Sequence, residues 1–215
     1  MTIRPPLIAV ALLLAPLPVL AQSYPWQANL RLVDVRPNDS SSSLAQSPAT
    51  LEFSSGGALE LGISYAFLPE WAAELSWQRA GLDVDVTSPE ASPFRAGSAD
   101  LSVTSLTLQY RFFVVGRIRP YVGLGAHLAS ISGFKPSEML VAGNVDAISF
   151  DRSASVTVQA GVDYDVTDRI SVTADVKYHD VGTDATLTLP SGDPWQTARV
   201  DIDPWALAIG AGFRF

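Results

Sequence analysis

The sequence predicts an all-β protein, an eight-stranded antiparallel transmembrane up-and-down β-barrel. Three observations carry this prediction: apolar residues recur at every second position, short and long connections follow one another, and aromatic residues gather at one set of segment ends. Hydrophobic residues make up 47% of the 215 residues, yet after the N-terminal segment the sequence contains no comparably long apolar run. The hydrophobicity is therefore distributed along strands.

Composition narrows the possible partners. The formal net charge is −8, from 14 Lys and Arg against 22 Asp and Glu, and Cys is absent. A nucleic-acid-binding protein needs a basic face to neutralise phosphates, so we expect no nucleic-acid partner. Without Cys, disulfides and thiolate metal sites are excluded.

The N-terminus has the pattern of a secretory signal peptide over residues 1–21. Arg4 supplies the positive region, residues 7–20 are apolar, and Val19-Leu20-Ala21 provides a small-residue cleavage site. The apolar stretch is short and interrupted by prolines, which disfavours a membrane-spanning helix. We therefore expect residues 22–215 to form the barrel domain, located in a bacterial outer membrane.

The alternation is clearest over residues 154–166 and continues through 170–179. Apolar side chains at even positions interleave with Ser, Thr, Gln, Gly and Asp at odd positions in the first segment, and the second segment repeats the pattern with Ser, Thr, Asp, Lys and His. A period of two indicates strands with one apolar and one polar face. The eight predicted strands are 26–36, 58–67, 71–82, 101–113, 120–131, 154–166, 170–181 and 200–215.

The connections alternate in length, which is typical of an outer-membrane barrel with short periplasmic turns and long extracellular loops. Long connections are predicted at 37–57, 83–100, 132–153 and 182–199, and short ones at 68–70, 114–119 and 167–169. Aromatic residues on the apolar faces fall mainly at the predicted periplasmic ends, as an interfacial girdle would. They are Trp26, Tyr65, Phe67, Trp71, Tyr110, Phe112, Tyr164, Phe213 and Phe215.

Charged residues with the inward phase predict a plug in the periplasmic half of the lumen. An eight-stranded barrel is narrow, so its interior side chains fill it or leave room for one small ligand. Opposite charges held away from water must pair. The predicted plug residues are Glu74, Arg111, Asp163, Asp165 and Arg214.

Towards the extracellular side the inward residues become apolar. The predicted lining consists of Val33, Val35, Leu82, Leu101, Val103, Ile131, Ile202 and Pro204. Two interpretations remain open. The lining forms a small hydrophobic funnel, or the strands extend beyond the membrane and pack against their own loops.

Both histidines, His127 and His179, have the inward phase. The nearby Ser130 and Asp180 point away from the lumen by alternation, so no nucleophile, base and orienting group share one face. We therefore expect no catalytic residues, no metal site and no cofactor, and a protein that is not an enzyme.

Five segments, in order along almost the whole mature chain, resemble the OmpW/AlkL family of outer-membrane proteins. They are Arg31 with Val35-Arg36-Pro37-Asn38-Asp39, 106–112 (LTLQYRF), 119–125 (RPYVGLG), 161–164 (GVDY) leading into 167–169 (TDR), and 201–205 (DIDPW) with 210–215 (GAGFRF). The Ser40–Ser43 run and residues 83–100 carry no motif of the family.

The resemblance implies passive uptake of small hydrophobic molecules through a narrow lumen, with lateral exit into the membrane because the lower lumen is blocked. The expected partners are outer-membrane lipid, a small hydrophobic ligand and the barrel-assembly machinery, reached through the C-terminal strand. Three other interpretations remain: a structural or adhesion barrel like OmpA or OmpX with functional loops, a lipid-modifying enzyme using His127 or His179, and a soluble lipocalin-like barrel.

Overall fold

The computed structural model describes residues 24–38, 42–43, 50–54, 56–88, 91–112, 116–138, 147–188, 191 and 194–215. The predicted signal peptide, 1–21, lies outside these residues. The strands are β1 Trp26–Arg36, β2 Ser42–Ser43, β3 Thr50–Phe53, β4 Gly56–Ala66, β5 Trp71–Ser88, β6 Ala91–Arg111, β7 Ile118–Pro136, β8 Ala147–Phe150, β9 Ser153–Asp165, β10 Ile170–His179, β11 Gly182–Thr188, β12 Pro194–Asp201 and β13 Trp205–Arg214.

Eight of these strands close into an antiparallel barrel, which confirms the predicted fold class. Their order around the wall is β1, β4, β5, β6, β7, β9, β10 and β13, and β13 pairs again with β1. Closure leaves no unpaired edge, as the interior of a membrane requires. The described part of the chain contains no helix of the length and apolarity needed to cross a membrane.

The wall is apolar outside and polar inside over most of its height. Large aliphatic side chains such as Leu32, Leu124 and Leu128 are more than 60% exposed, whereas Arg31, Glu60 and many other polar residues are buried. This arrangement is the reverse of a soluble barrel, and an exposed apolar band of this extent requires lipid. The soluble lipocalin-like interpretation is therefore wrong.

Aromatic side chains cluster where the strands meet the short turns, an end of the barrel that we call the turn end. Trp26 packs on Tyr65 with ring centroids 4.6 Å apart, and Trp71 packs on Tyr110 at 5.2 Å. The opposite end, which carries the long connections, is called the loop end. Tyr178 and Trp205 pack at 5.1 Å nearer to it.

The long connections contain more strand than the sequence interpretation assigned. Residues 83–88 and 91–100 were predicted as part of a loop, but they continue β5 and β6, which pair with register shifts after Val84 and after Val86. The alternation persists there, but its outward members are charged instead of apolar, because this part stands beyond the lipid. A separate sheet of β8, β11 and β12 also forms at the loop end.

The last predicted strand, 200–215, is interrupted. β12 ends at Asp201 and β13 begins at Trp205. Asp203 has a φ of 37°, and its carboxylate accepts a hydrogen bond from the Val181 amide at 3.0 Å. Pro204 has no amide hydrogen to donate, but its carbonyl accepts a bond from the His179 amide. Together these features turn the chain from the outer sheet into the barrel wall.

Candidate functional site in the barrel lumen

The middle of the lumen is closed by a group of charged side chains that we call the central ion network. It consists of Arg31, Glu60, Glu74, Asp175 and Lys177, all of them buried. Arg31 lies 2.6 Å from Glu60, 2.8 Å from Glu74 and 3.2 Å from Asp175. Lys177 lies 2.5 Å from Glu60 and 3.7 Å from Glu74. Two cations and three carboxylates leave a formal charge of −1 (2 − 3).

Neutral side chains add hydrogen bonds to two of the three carboxylates, Glu74 and Asp175. The amide of Asn29 donates to Glu74 at 3.0 Å, and that of Gln159 donates to Asp175 at 3.2 Å. The Tyr121 hydroxyl donates to Asp175 at 3.0 Å. Buried charges are tolerated when they are paired and hydrogen-bonded in this manner. The network therefore forms a continuous polar layer across the lumen.

A second group, the turn-end cluster, lies closer to the short turns. Its members are Arg111, Arg119, Asp163, Asp165 and Arg214. Asp165 lies 2.5 Å from Arg214 and 3.0 Å from Arg119, while Arg119 is 3.8 Å from Asp163. Arg111 donates to Gln109 at 3.3 Å. Part of this cluster reaches solvent, since Asp165 and Arg119 are only partly buried.

The structure thus divides the predicted plug between two layers. Glu74 belongs to the central ion network, whereas Arg111, Asp163, Asp165 and Arg214 belong to the turn-end cluster. The sequence interpretation left out the other four members of the network and Arg119. The four network residues have the inward phase within predicted strands, so consistent use of the alternation would have found them, whereas Arg119 lies in a predicted turn that the structure assigns to the start of β7.

Glycines make room for the large side chains that cross this narrow bore. A Cβ on Gly161 would lie 2.5 Å from the ring of Tyr121, which covers that position. On β13, a Cβ on Gly210 would lie 2.0 Å from the Leu30 carbonyl and 2.7 Å from the Arg31 Cα. Glycine is therefore required at Gly161 by a neighbouring side chain and at Gly210 by the neighbouring backbone.

On the loop side of the network the lumen is filled by apolar residues, which we call the upper apolar cluster. Seven of the eight predicted lining residues belong to it, and Pro204 is buried beside it. The seven are Val33, Val35, Leu82, Leu101, Val103, Ile131 and Ile202. The cluster also packs against Ile148 of β8 and Ala185 of β11, so the outer sheet covers it.

Between the two regions lies a polar belt formed by Gln78, His127 and His179. Thr157 Oγ1 is 3.0 Å from the Nδ1 of His127 and 2.7 Å from that of His179, and the two rings are 5.1 Å apart. Both imidazole Nε2 atoms and both amide atoms of Gln78 are buried without a hydrogen-bond partner among the described residues. The sequence interpretation had placed both histidines in the lumen but did not single out Gln78.

The belt lacks the arrangement of a hydrolytic site. Asp180 accepts a hydrogen bond from Ser155 at 2.7 Å and is exposed, and the imidazoles contact Thr157 instead of an orienting carboxylate. Within the described ranges, no group of three or more His, Asp or Glu side chains could hold a metal ion.

The recesses in the described part of the wall include a cavity and a groove. A cavity of about 300 Å³ lies where β5, β6 and β7 meet, and its lining includes Gly81, Leu82, Ala99, Asp100 and Gly133. Register shifts occur there in the pairing of β5 with β6 and of β6 with β7.

The second recess is a groove of about 390 Å³ on the lipid-facing surface. It is lined by Val158, Gln159, Ala160, Val176, Tyr178 and Trp205. The strands beneath it are fully paired, and Gln159 belongs to the hydrogen bonding of the central ion network.

Comparisons with known proteins agree with this architecture. An uncharacterized outer-membrane protein, y4mB, of Sinorhizobium fredii (strain NBRC 101917 / NGR234) is 30% identical over 197 residues, covering 92% of this chain and 82% of that protein. The dibenzothiophene metabolism operon protein PahQ of Pseudomonas aeruginosa is 25% identical over 207 residues, which cover 92% of each. The crystal structure of the outer membrane protein OprG from Pseudomonas aeruginosa superposes with a TM-score of 0.78 at 24% identity, covering 88% of this chain and 95% of that one.

The relatives and the lipid-facing wall confirm the predicted location in the outer membrane. The OmpW family model matches residues 26–215, which include all eight barrel strands and the residues of both charged layers. The chain belongs to the OmpW family of outer-membrane proteins.

Proposed function

We propose that this barrel mediates passive uptake of small hydrophobic molecules, without performing chemistry on them. One observation carries the proposal: apolar side chains from several strands converge inside the barrel on the loop side, above a sealed polar layer. A membrane protein does not need apolar residues in its lumen for contact with lipid. An apolar region inside the barrel, on the loop side of the polar layer, is suited to apolar ligands.

The central ion network favours a lateral route. An apolar solute that continued along the barrel axis would have to separate buried ion pairs, and an unpaired buried charge costs several kcal/mol, about 3–5 when one partner is removed. We therefore propose that the solute enters from the loop end, rests in the upper apolar cluster and leaves sideways towards the membrane.

The comparisons support the substrate class. PahQ is named for an operon of dibenzothiophene metabolism, and dibenzothiophene is a small apolar aromatic molecule. We extend to this chain the inference that hydrophobic compounds cross the outer membrane through such a barrel. A bilayer whose outer surface is polar would otherwise slow their entry.

Charges placed in the upper apolar cluster are expected to abolish uptake. In cells whose own copy is deleted, a variant carrying Leu101→Glu and Val103→Glu should take up an n-alkane at least about tenfold more slowly than wild type, because an apolar solute cannot solvate a buried carboxylate. Leu101→Ala with Val103→Ala is the matched control and should retain uptake. Uptake is compared only between variants that fold, as judged by the mobility of unheated barrels on SDS gels.

If the Glu variant fails to fold, Leu101→Asn with Val103→Thr replaces it as a neutral polar pair of similar size. Uptake by a folded polar variant at the wild-type rate would contradict the proposed function.

The cavity beside Gly81 is the proposed lateral passage. Its lining joins Leu82 and Ala99 of the upper apolar cluster to polar residues that include Asp100. Asp100 forms an exposed ion pair with Arg79 at 2.9 Å. Charged residues on the outer wall mark the level of the lipid headgroups. A solute that leaves here reaches the edge of the bilayer without meeting the central ion network.

A bulky residue at the mouth of this cavity should reduce uptake severalfold. Gly81→Phe is suitable because Gly81 lines the cavity and a Cβ there meets no atom within 4 Å, so a larger side chain can be attached at this position without a clash at its Cβ. Ala160→Phe is the control, since it adds the same ring to the lipid-facing groove, which lies over the polar layer. The assay is alkane uptake by intact cells. Equal uptake in both variants would place the passage elsewhere.

The structural or adhesion barrel remains the second candidate function. The packing of Ile148 and Ala185 on the upper apolar cluster favours it, because those contacts fill the lumen on the loop side. In that case the Leu101 and Val103 variants would change stability but not uptake, and removal of the gene would leave alkane uptake unchanged.

A further inference from the structure

We propose that the polar belt receives the single polar group of an otherwise apolar substrate. The preferred substrate is then a neutral hydrophobic molecule with one hydroxyl group, such as a hydroxylated aromatic compound or an alcohol, which binds more tightly than the bare hydrocarbon of the same shape. This inference rests on the proposed function and names the ligand chemistry of the same lumen.

The first argument is the position of the three side chains. Among the inward residues of β5, Gln78 follows Ser76 and precedes Ala80. Among those of β7, His127 follows Gly125 and precedes Ala129. On β10, His179 follows Lys177, and the next inward residue is Val181, which belongs to the upper apolar cluster. Each belt residue is thus the last polar side chain before the apolar region begins. When the apolar part of a molecule lies in the upper apolar cluster, the end of the molecule that points towards the central ion network lies beside the belt residues.

The second argument is the unmet hydrogen bonding. Gln78 Nε2 and Oε1 and the Nε2 atoms of both histidines are buried without a partner in the described part of the chain. A buried polar group without a partner costs about 1–3 kcal/mol, so four such atoms at one level need an explanation. A hydroxyl group donates one hydrogen bond and accepts two, so it can satisfy up to three of these atoms, whereas a hydrocarbon satisfies none.

The geometry at Thr157 determines what the imidazoles offer. Its hydroxyl has one hydrogen and contacts both Nδ1 atoms, so it can donate to only one of them. The other ring must donate its Nδ1–H to Thr157 Oγ1, and the Nε2 of that neutral ring is then an acceptor. The ring that accepts at Nδ1 carries its hydrogen on Nε2 and is a donor. The belt therefore offers both a donor and an acceptor, which is the complement of a hydroxyl group.

The charge below the belt selects against anions. The central ion network has a formal charge of −1, and Glu60 and Lys177 lie on the strands that border the belt. A carboxylate head group would meet a net negative layer in a medium of low dielectric, where repulsion is strong. A neutral hydroxyl group carries no such cost.

Gln78→Met is the decisive variant. Gln78 makes no side-chain hydrogen bond within the described residues, so its replacement breaks none and removes an unsatisfied buried amide. The variant should be at least as stable as wild type. Purified barrels in nanodiscs are titrated with 2-naphthol and naphthalene, which share one apolar body, and empty nanodiscs supply the partition of each compound into lipid.

We expect the wild-type affinity for 2-naphthol, divided by that for naphthalene, to exceed the ratio of their partition coefficients into empty nanodiscs. In Gln78→Met this preference should fall about tenfold, the effect of one lost hydrogen bond to a buried group. Gln109→Met is the matched control: Gln109 donates to Gln159 at 3.2 Å on the other side of the network, so its loss should lower stability and leave the preference unchanged.

The outcomes separate the two proposals. In the first outcome both compounds bind, but the ratio of their affinities equals their lipid partition ratio and is the same in Gln78→Met. The belt then does not bind the hydroxyl group, and this inference is wrong while the proposed function stands. If neither compound binds above empty nanodiscs, the proposed function fails, and the inference fails with it. Should Gln78→Met not fold, His127→Leu with His179→Leu tests the same preference and should lower it.

Discussion

Replacement of Arg31 by methionine is expected to lower the free energy of unfolding by about 3–5 kcal/mol, among the largest effects of any single substitution in the lumen. Arg31 is 2% exposed and contacts Glu60, Glu74 and Asp175. Methionine fills similar volume but leaves three buried carboxylates facing Lys177 alone. The measurement is urea unfolding in detergent micelles, followed by the fluorescence of the five tryptophans.

Two further variants test this explanation. Arg79→Met removes an exposed arginine that pairs with Asp100 and should change stability little, because surface ion pairs are screened by solvent. Addition of Glu74→Gln to Arg31→Met returns the formal charge of the network from −2 to the original −1, so part of the lost stability should return. A loss below about 1 kcal/mol for Arg31→Met would mean that the network behaves like a surface pair.

Substitution of Gly210 by valine is expected to prevent closure of the barrel or to destabilise it by more than about 3 kcal/mol, above the usual cost of overpacking. Gly210 pairs with Arg31 where the last strand meets the first. The new Cβ would lie 2.0 Å from the Leu30 carbonyl oxygen, so β13 and β1 would have to separate. Circular dichroism and the mobility of unheated samples on SDS gels report whether the barrel closes.

Gly57→Val provides the comparison at a glycine without close neighbours. Gly57 pairs with Asp34 of β1, and a Cβ there meets no atom within 4 Å. Valine is favoured in strands, so this variant should fold like wild type. If the Gly210→Val barrel closes and is as stable as wild type, the prediction is wrong, because β13 and β1 then accommodate the added side chain without loss of pairing.

Much of the fold follows from short-range features of the sequence. The period of two sets which side chains face lipid, and the short turns set the antiparallel order, so eight strands with their girdle could be predicted from local segments such as 154–166. Residues 83–100 were misassigned because their outward positions change from apolar to charged where the wall leaves the lipid. The break at Asp203 depends on contacts with Val181 and His179, which lie in another strand and its extension.

The lumen could be predicted only in part. The inward phase identified apolar residues such as Leu101 and charged ones such as Glu74, but it did not say which side chains meet. The ion pairs of the central network join residues 29 to 144 positions apart in the chain, as in Arg31 with Glu60 and Arg31 with Asp175. The predicted signal peptide, the absence of catalysis and the link between the C-terminal strand and the assembly machinery stay predictions.

By itself the sequence determined the class of fold, the membrane-facing surface and the separation of a polar from an apolar half of the lumen. Alternation is a local property, because each strand exposes one face regardless of its neighbours. Only the tertiary structure decided that Arg31 stands between three carboxylates and that Gln78, His127 and His179 share one level. Which side chains meet in the lumen depends on the register shift between neighbouring tilted strands, summed around the closed barrel. The sequence of one strand does not determine that shift.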